Sequence, residues 1–286
     1  MVIPRSPSKT ALNVASARAL HREEPPPWVF DDHLALGLAG DEGVSLMRNM
    51  RDELSGEQLL TFSRYMCVRA RLAEDVVERA VADAIRQYAI LGAGLYSFAY
   101  RRPDLLARLR VFEVDHPASQ AWKRERLAEL GVSLPANLVF APVDFETQTL
   151  RDGLLAAGFD FAAGAVFSWI GVTMYLTLAA IEATLETVAA CQPGSRIVLT
   201  YNPPPSALQD EELALHDTMS RRVGELGEPW ISFFTPAEAE ALLRRYGFGE
   251  VDHFGPAEAI STYFPGRPDV RLGMPQRVLV ATVGTR

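Results

Sequence analysis

The chain has 286 residues, of which 48% are hydrophobic and 22% charged, and a formal net charge of −8 at neutral pH. That length carries one large α/β domain or two small ones, and the acidic balance argues against phosphate-driven binding to nucleic acid or to an anionic membrane. Two cysteines, Cys67 and Cys191, make no CxxC pair or disulfide framework, and the five histidines fall without ligand spacing, so no metal site is expected and a reducing cytoplasm is the expected compartment.

In chain order, "MVIPRSPSKTALNVASARAL" carries charges and prolines but no apolar stretch followed by a small-residue cleavage site. It predicts an irregular start and a helix from Thr10 to Leu20, which "REEPPPW" then breaks. Residues 55–87 place Leu59, Phe62, Met66, Leu72, Val76 and Val77 at helical spacing, predicting a long helix. From Tyr88 short apolar runs alternate with amphipathic ones. Strands are expected at "YAIL", "LRVFEV", "NLVFAPV", "AVFSWI", "RIVLTY", "EVDHF" and "RVLVATV". Helices are expected over 102–109, 119–130, 149–157, 178–190, 207–226 and 236–246. This alternation predicts a doubly wound α/β sheet of seven mostly parallel strands. The link from Gly255 to Gln276, with Pro265, Gly266 and Pro268, is turn-rich and predicts an antiparallel last strand rather than another helical crossover. The longest apolar run, Phe159 to Leu178, is interrupted by Gly164 and Gly171 and is not expected to span a membrane. Residues 1–87 are expected to form a helical cover, 88–286 the ligand-binding domain, and about 203–235, opening on three prolines, a cap over the site.

The chemistry centres on "LGAGLYS" after the first strand. Gly92, Ala93 and Gly94 form a turn that lets a ligand approach the backbone, although a tight packing turn is the alternative. Ser97 stands where a dinucleotide fingerprint has its third glycine, and no Lys-Ser/Thr follows to make a triphosphate loop. The second strand ends in Glu113 and Asp115, about twenty positions on, where a carboxylate accepts both hydroxyls of a ribose; capping the next helix is the other reading. The third strand ends in "APVDFE", whose Asp144 suits the amine and flat face of an adenine. An adenosine site without a phosphate grip fits S-adenosylmethionine better than NAD, although a nicotinamide-dependent oxidoreductase shares the glycine turn and the acid.

With "SKTALNVASARA", "YMCVRARLAEDVV", "QYAILGAGLYSFAYR", "VFEVDHPASQAWKRERLAELG" and "FSWIGVTMYLT", nearly the whole chain resembles the leucine carboxyl methyltransferase family, especially its bacterial and mycobacterial S-adenosylmethionine-dependent branch. The resemblance implies a Rossmann-like class I methyltransferase fold. It also implies that Lys9 and Arg69 grip the methionine carboxylate of the cofactor, as cationic donors do. It places Gly92, Ala93 and Gly94 along the methionine, Asp115 on the ribose, and Asp144 and Phe145 on the adenine. Three positions depart from the family pattern: Tyr96 replaces an aspartate, Phe98 an arginine, and Ile170 an acid. Ser168 and nearby carbonyls are left to accept from the cofactor's ammonium.

Methyl transfer from a sulfonium is an in-line displacement, so the protein mainly orients the reactants and excludes water. A carboxylate acceptor needs no base, whereas a hydroxyl needs one. His116, Tyr175 and His216 are the candidates, with a turn or adenine-edge position in cofactor binding, packing against the sheet and solvation as their respective alternatives. Trp28, Trp230, Phe233 and Phe234 wall an apolar pocket or simply pack. The expected activity is O-methylation of a carboxylate or hydroxyl on a small molecule, releasing S-adenosylhomocysteine, by a monomer or homodimer. The changes at Tyr96, Phe98 and Ile170 also fit a noncatalytic cofactor-binding protein.

Overall fold

A computed structural model describes residues 8–144, 147–273 and 276–285, the side chain of Glu211 apart. Seven strands form one sheet: β1 (Gln87–Leu91), β2 (Arg110–Asp115), β3 (Leu138–Pro142), β4 (Ala165–Trp169), β5 (Arg196–Tyr201), β6 (Phe248–Phe254) and β7 (Arg277–Val283). Their order is β3-β2-β1-β4-β5-β7-β6. β1 to β5 pair in parallel, and β7 runs antiparallel between β5 and β6. The expected Rossmann-like sheet with an antiparallel last strand is therefore present.

Burial explains why the central strands are uninterrupted apolar runs. Every residue of β1 and β4 is buried, as in sheets covered on both faces. Tyr88 and Ile90 point into one core with Val76, Val77 and Ala80; Ala89 and Leu91 point into the other with Ile181, Leu185 and Leu243. Edge strand β6 instead carries exposed Glu250, Asp252 and His253, which discourages pairing with another chain.

Three long helices precede the sheet: α1 (Lys9–His21), α2 (Ala35–Glu53) and α3 (Gly56–Ala82). A capping box between Ser55 and Gln58 starts α3. The sheet is then interleaved with α4 (Phe98–Arg101), α5 (Pro103–Leu106), α6 (Pro117–Glu129), α7 (Leu150–Ala156), α8 (Leu178–Ala189), α9 (Asp210–Glu225), α10 (Pro236–Arg245) and α11 (Pro256–Tyr263). Among the described residues no helix is long and apolar enough to cross a membrane.

α2 lies between the break at Pro27 and the helix expected from residue 55, where the sequence announces no element. Two expectations need correction. The helix expected over 102–109 is two short ones, because Arg102 precedes a proline and leaves the helical region (φ −116°, ψ 60°). The link to β7 holds α11, started by Pro256 at its first turn.

Candidate functional site

The carboxyl ends of β1, β2 and β4 open into a cleft of about 1160 Å³. In a doubly wound sheet this edge is where the order of connections reverses and a crevice forms. Gly92, Ala93 and Gly94 line its floor. Gly92 has φ +70°, and a Cβ there would lie 2.5 Å from Cγ2 of Val172. The glycine is thus demanded by backbone conformation and by the loop after β4, before any ligand is considered.

Asp115 lies at the tip of β2 and holds this loop. Its Oδ2 accepts the Gly94 N–H at 2.6 Å and its Oδ1 the His116 N–H at 2.7 Å. A carboxylate has about four lone-pair sites, so two remain for a ribose diol. His116 borders the cleft, but its Nδ1 caps α6 by accepting from Ala118 N–H at 3.2 Å, with Pro117 as the first helical residue.

Glu113 is elsewhere. It is fully buried, and its Oε2 lies 2.8 Å from Nζ of Lys123 on α6. Lys123 Nζ also donates to the Tyr96 carbonyl at 2.6 Å. Burial raises the Glu113 pKa, and Lys123 opposes that rise. Of the two acids weighed for the ribose, Glu113 is an internal strut under the glycine loop and Asp115 faces the cleft.

The two cations expected at the methionine end separate. Lys9, the first residue of α1, is exposed and outside the cleft lining. The cleft face of α1 is Ala11, Val14 and Arg18, at the i, i+3, i+7 spacing that the sequence displays. Arg18 donates to Asp32 Oδ2 at 2.8 Å and to the Leu95 carbonyl at 2.9 Å, tying α1 to the glycine loop.

Arg69 of α3 does line the cleft and is buried. It sits against Gly171, just past β4, where an added Cβ would approach its guanidinium to 3.3 Å. Its Nη1 donates to Oε1 of Gln276 at 2.9 Å, and its other close partner is the Tyr65 ring, 5.7 Å away. Among the described residues no carboxylate pairs with it. Burial lowers its pKa, yet a guanidinium stays charged in proteins. A buried guanidinium at the edge of a cleft can grip a carboxylate bidentately.

Ser168 borders the cleft, with its hydroxyl 2.8 Å from that of Tyr88. Asp144 is half-buried just past β3 and outside the cleft lining, where Gln148, Thr149 and Arg151 stand; Phe145 lies outside the described residues. The three departures leave the cleft open. The Tyr96 hydroxyl donates to Glu74 at 3.0 Å, Phe98 is buried edge-on against Tyr88, and Ile170 lies on the wall.

Tyr175 borders the cleft in the turn after β4, facing Trp230 and Thr10. Burial raises its pKa, which suits a hydrogen-bond donor rather than a base. His216 is buried against the rings of Trp230 and Phe233, 5.3 and 6.1 Å away, and does not line the cleft. Sequence reasoning missed Glu228, which borders the cleft and accepts a hydrogen bond from Thr10. Only folding brings residues 218 positions apart together, so no local pattern announces that pair. Of the four aromatics weighed as walls, Trp28 donates to the Glu24 carbonyl away from the site, and Phe233 and Phe234 pack internally. Trp230 borders a second chamber next to the cleft.

The sequence profile described as Leucine carboxyl methyltransferase matches residues 11–189. The "Putative S-adenosyl-L-methionine-dependent methyltransferase YktD" of Bacillus subtilis is 33% identical over 92% of this chain and 93% of its own. The Mycobacterium tuberculosis protein Rv1896c, which carries the same description, is 33% identical over 79% of this chain and 74% of its own. A crystal structure from Thermobifida fusca, titled a putative methyltransferase, superposes over 100% of both chains with a TM-score of 0.61 at 18% identity, which supports the fold.

Proposed function

Because the chain belongs to the leucine carboxyl methyltransferase family, a family of S-adenosylmethionine-dependent methyltransferases, we propose that it methylates a carboxylate or hydroxyl oxygen of a small molecule. The observation that carries the reading is a complementary pair of unmet demands on either side of β1. Past β2, Asp115 keeps unused lone pairs for a ribose. Past β4, Arg69 keeps a buried positive charge for an amino-acid carboxylate. NAD has no amino-acid carboxylate to offer, and Ser97 stands where its pyrophosphate fingerprint has the third glycine. When bound, the cofactor supplies an activated methyl group.

The chain's own contribution is position and dryness. Arg69 fixes the amino-acid tail, Asp115 the sugar, and the glycine loop their separation. The cleft exceeds the usual upper size of a ligand pocket, about 1000 Å³, so cofactor and acceptor fit together. A carboxylate acceptor arrives ionised and needs nothing further. A hydroxyl acceptor would pass its proton to Glu228, which shares the cleft wall with Tyr175.

Calorimetry with S-adenosylhomocysteine tests the cofactor site. Asp115→Ala and Arg69→Ala are each expected to weaken binding at least tenfold, about 1.4 kcal/mol, and NAD(H) to give no heat. Parent-like binding by both variants refutes the assignment. Transfer of labelled methyl to acids and alcohols tests the oxygen, since mild base releases methanol from an ester and leaves an ether intact.

A further inference from the structure

The loop after α9 puts one acid, Glu228, on the cleft wall. Hydrogen bonds hold its segment in place. The Glu228 N–H donates to the Val223 carbonyl at 2.9 Å, and the Ile231 N–H to the Met174 carbonyl at 2.8 Å. The side chain is anchored as well, because Oε2 accepts from the Thr10 hydroxyl. Glu228 is half-buried and its Oε1 is left to the cleft: among the described residues neither a hydrogen bond nor an ion pair engages that oxygen, and it is not one of the sealed polar atoms. Resting on the methyltransferase reading above, we infer that Glu228 selects the methyl acceptor, and that the acceptor is a zwitterion: a carboxylate to be methylated and a protonated amine that Glu228 receives.

The groups around Glu228 match an ammonium, which has three N–H donors and no acceptor. Glu228, Thr10 and Tyr175 all border the cleft and bring their oxygens to one part of its wall. Thr10 spends its proton on Glu228 and keeps its lone pairs, and the Tyr175 hydroxyl faces Thr10 with Glu228 nearby. The Tyr175 ring adds an aromatic face, which attracts a cation. A divalent ion is the poorer guest, because among the described residues no three metal-ligating side chains gather here or elsewhere. In the reading above Arg69 takes the cofactor's carboxylate, and Ser168 borders the cleft for its ammonium. Glu228 is then left to the acceptor. An acceptor bearing only a carboxylate would set a second negative charge beside it, which is repulsive. A zwitterion replaces that repulsion with a charge-assisted hydrogen bond. In the transfer, a carboxylate oxygen forms a bond to the methyl carbon as the carbon–sulfur bond breaks, and the electron pair of that bond returns to sulfur. No proton moves, so with this acceptor Glu228 is a receptor and not a base.

The test is calorimetric, on full-length protein saturated with S-adenosylhomocysteine. Its probes are matched pairs: 4-aminobutanoate with pentanoate, 6-aminohexanoate with heptanoate, and 8-aminooctanoate with nonanoate. Each pair shares one chain length and exchanges an ammonium for a methyl group. In at least one pair the amino acid is expected to bind at least tenfold more tightly than its partner. Glu228→Gln keeps an oxygen for Thr10 but removes the charge, so it should bring that ratio to one or below while binding S-adenosylhomocysteine as the parent does. Should Glu228→Gln not fold, Glu228→Ser is read in its place. Absence of a preference in every pair, absence of binding by every probe, or a preference unchanged in Glu228→Gln overturns the inference and leaves the cofactor reading intact. So does a folded Glu228→Gln that binds S-adenosylhomocysteine tenfold more weakly, which would give Glu228 to the cofactor's own ammonium. Failure of the parent to bind S-adenosylhomocysteine overturns the cofactor reading and the inference together.

Discussion

Buried charges near this cleft do different work according to what faces them. Lys123 and Glu113 neutralise each other and support the glycine loop. Asp32 is equally buried but serves two guanidiniums: Arg18 at 2.8 Å and Arg101 at 3.5 Å, with Ser97 donating to its other oxygen at 2.6 Å. Burial alone would raise its pKa; the Arg18 and Arg101 charges outweigh that effect and hold it below the ordinary aspartate value. An aspartate with a depressed folded pKa stabilises the fold above its unfolded pKa, about 3.9, and that contribution disappears as pH falls through the folded value. Asp32→Ala strands the buried Arg18 guanidinium, whereas Arg101 keeps Glu74, and should cost about 3–5 kcal/mol at neutral pH. In urea titrations the stability gap between parent and Asp32→Asn should be widest near neutrality and close as pH drops below about 3.9. A gap that stays constant down to pH 2 would show that the charge of Asp32 contributes nothing.

At the level of elements, the sheet was legible and the helical cover only half so. Central strands announce themselves because both faces are buried, and β7 followed from the turn-rich link even though α11 lay hidden inside it. α2 escaped because Gly37, Gly40 and Gly43 lower its helical signal and because it is kinked: Gly40 sits at φ 63°, ψ −159°, a conformation essentially reserved for glycine. A Cβ at Gly40 would also come within 3.0 Å of the Arg126 guanidinium, which donates to the Gly37 carbonyl and so clips α2 to α6. Gly40→Ala should therefore lower stability by about 1–3 kcal/mol, read from the urea midpoint. Gly56→Ala, where an added Cβ meets nothing within 4 Å, should be neutral or stabilising. Equal midpoints for the two variants would mean that the kink carries no strain. The site divides along the same physical line. Asp115 and the glycines were readable because strand ends fix their place. Arg18 was available from the periodicity of α1 that excludes Lys9. Gln276 and Glu228 acquire meaning only through contacts that no local pattern encodes.

The molecule as a whole is organised so that its ends meet over the sheet. Thr10 at the start of α1 hydrogen-bonds Glu228 after α9, and Arg18 holds the glycine loop. Gln276, just before β7, accepts from both Tyr65 and Arg69 of α3. Helices that precede the sheet in the chain thus wall a cleft whose floor is the loop after β1. Thr10, Glu228 and Gln276 sit at or beyond element ends, where local opening costs less than opening the sheet. The cofactor touches floor and wall at once, so its binding should tighten this seam specifically. S-adenosylhomocysteine at one hundred times its Kd stabilises by about 2.7 kcal/mol, which for a chain of this size corresponds to a rise in Tm of about 5–10 °C. Hydrogen exchange should report where the gain falls. Amides of α1 and of residues 227–232 should slow on binding, while those of α10 and the edge strand β6 should keep their free-state rates. Slowing spread evenly over all four regions would show that the N-terminal helices and the sheet open as one unit, and that the cover is not separately mobile over its site.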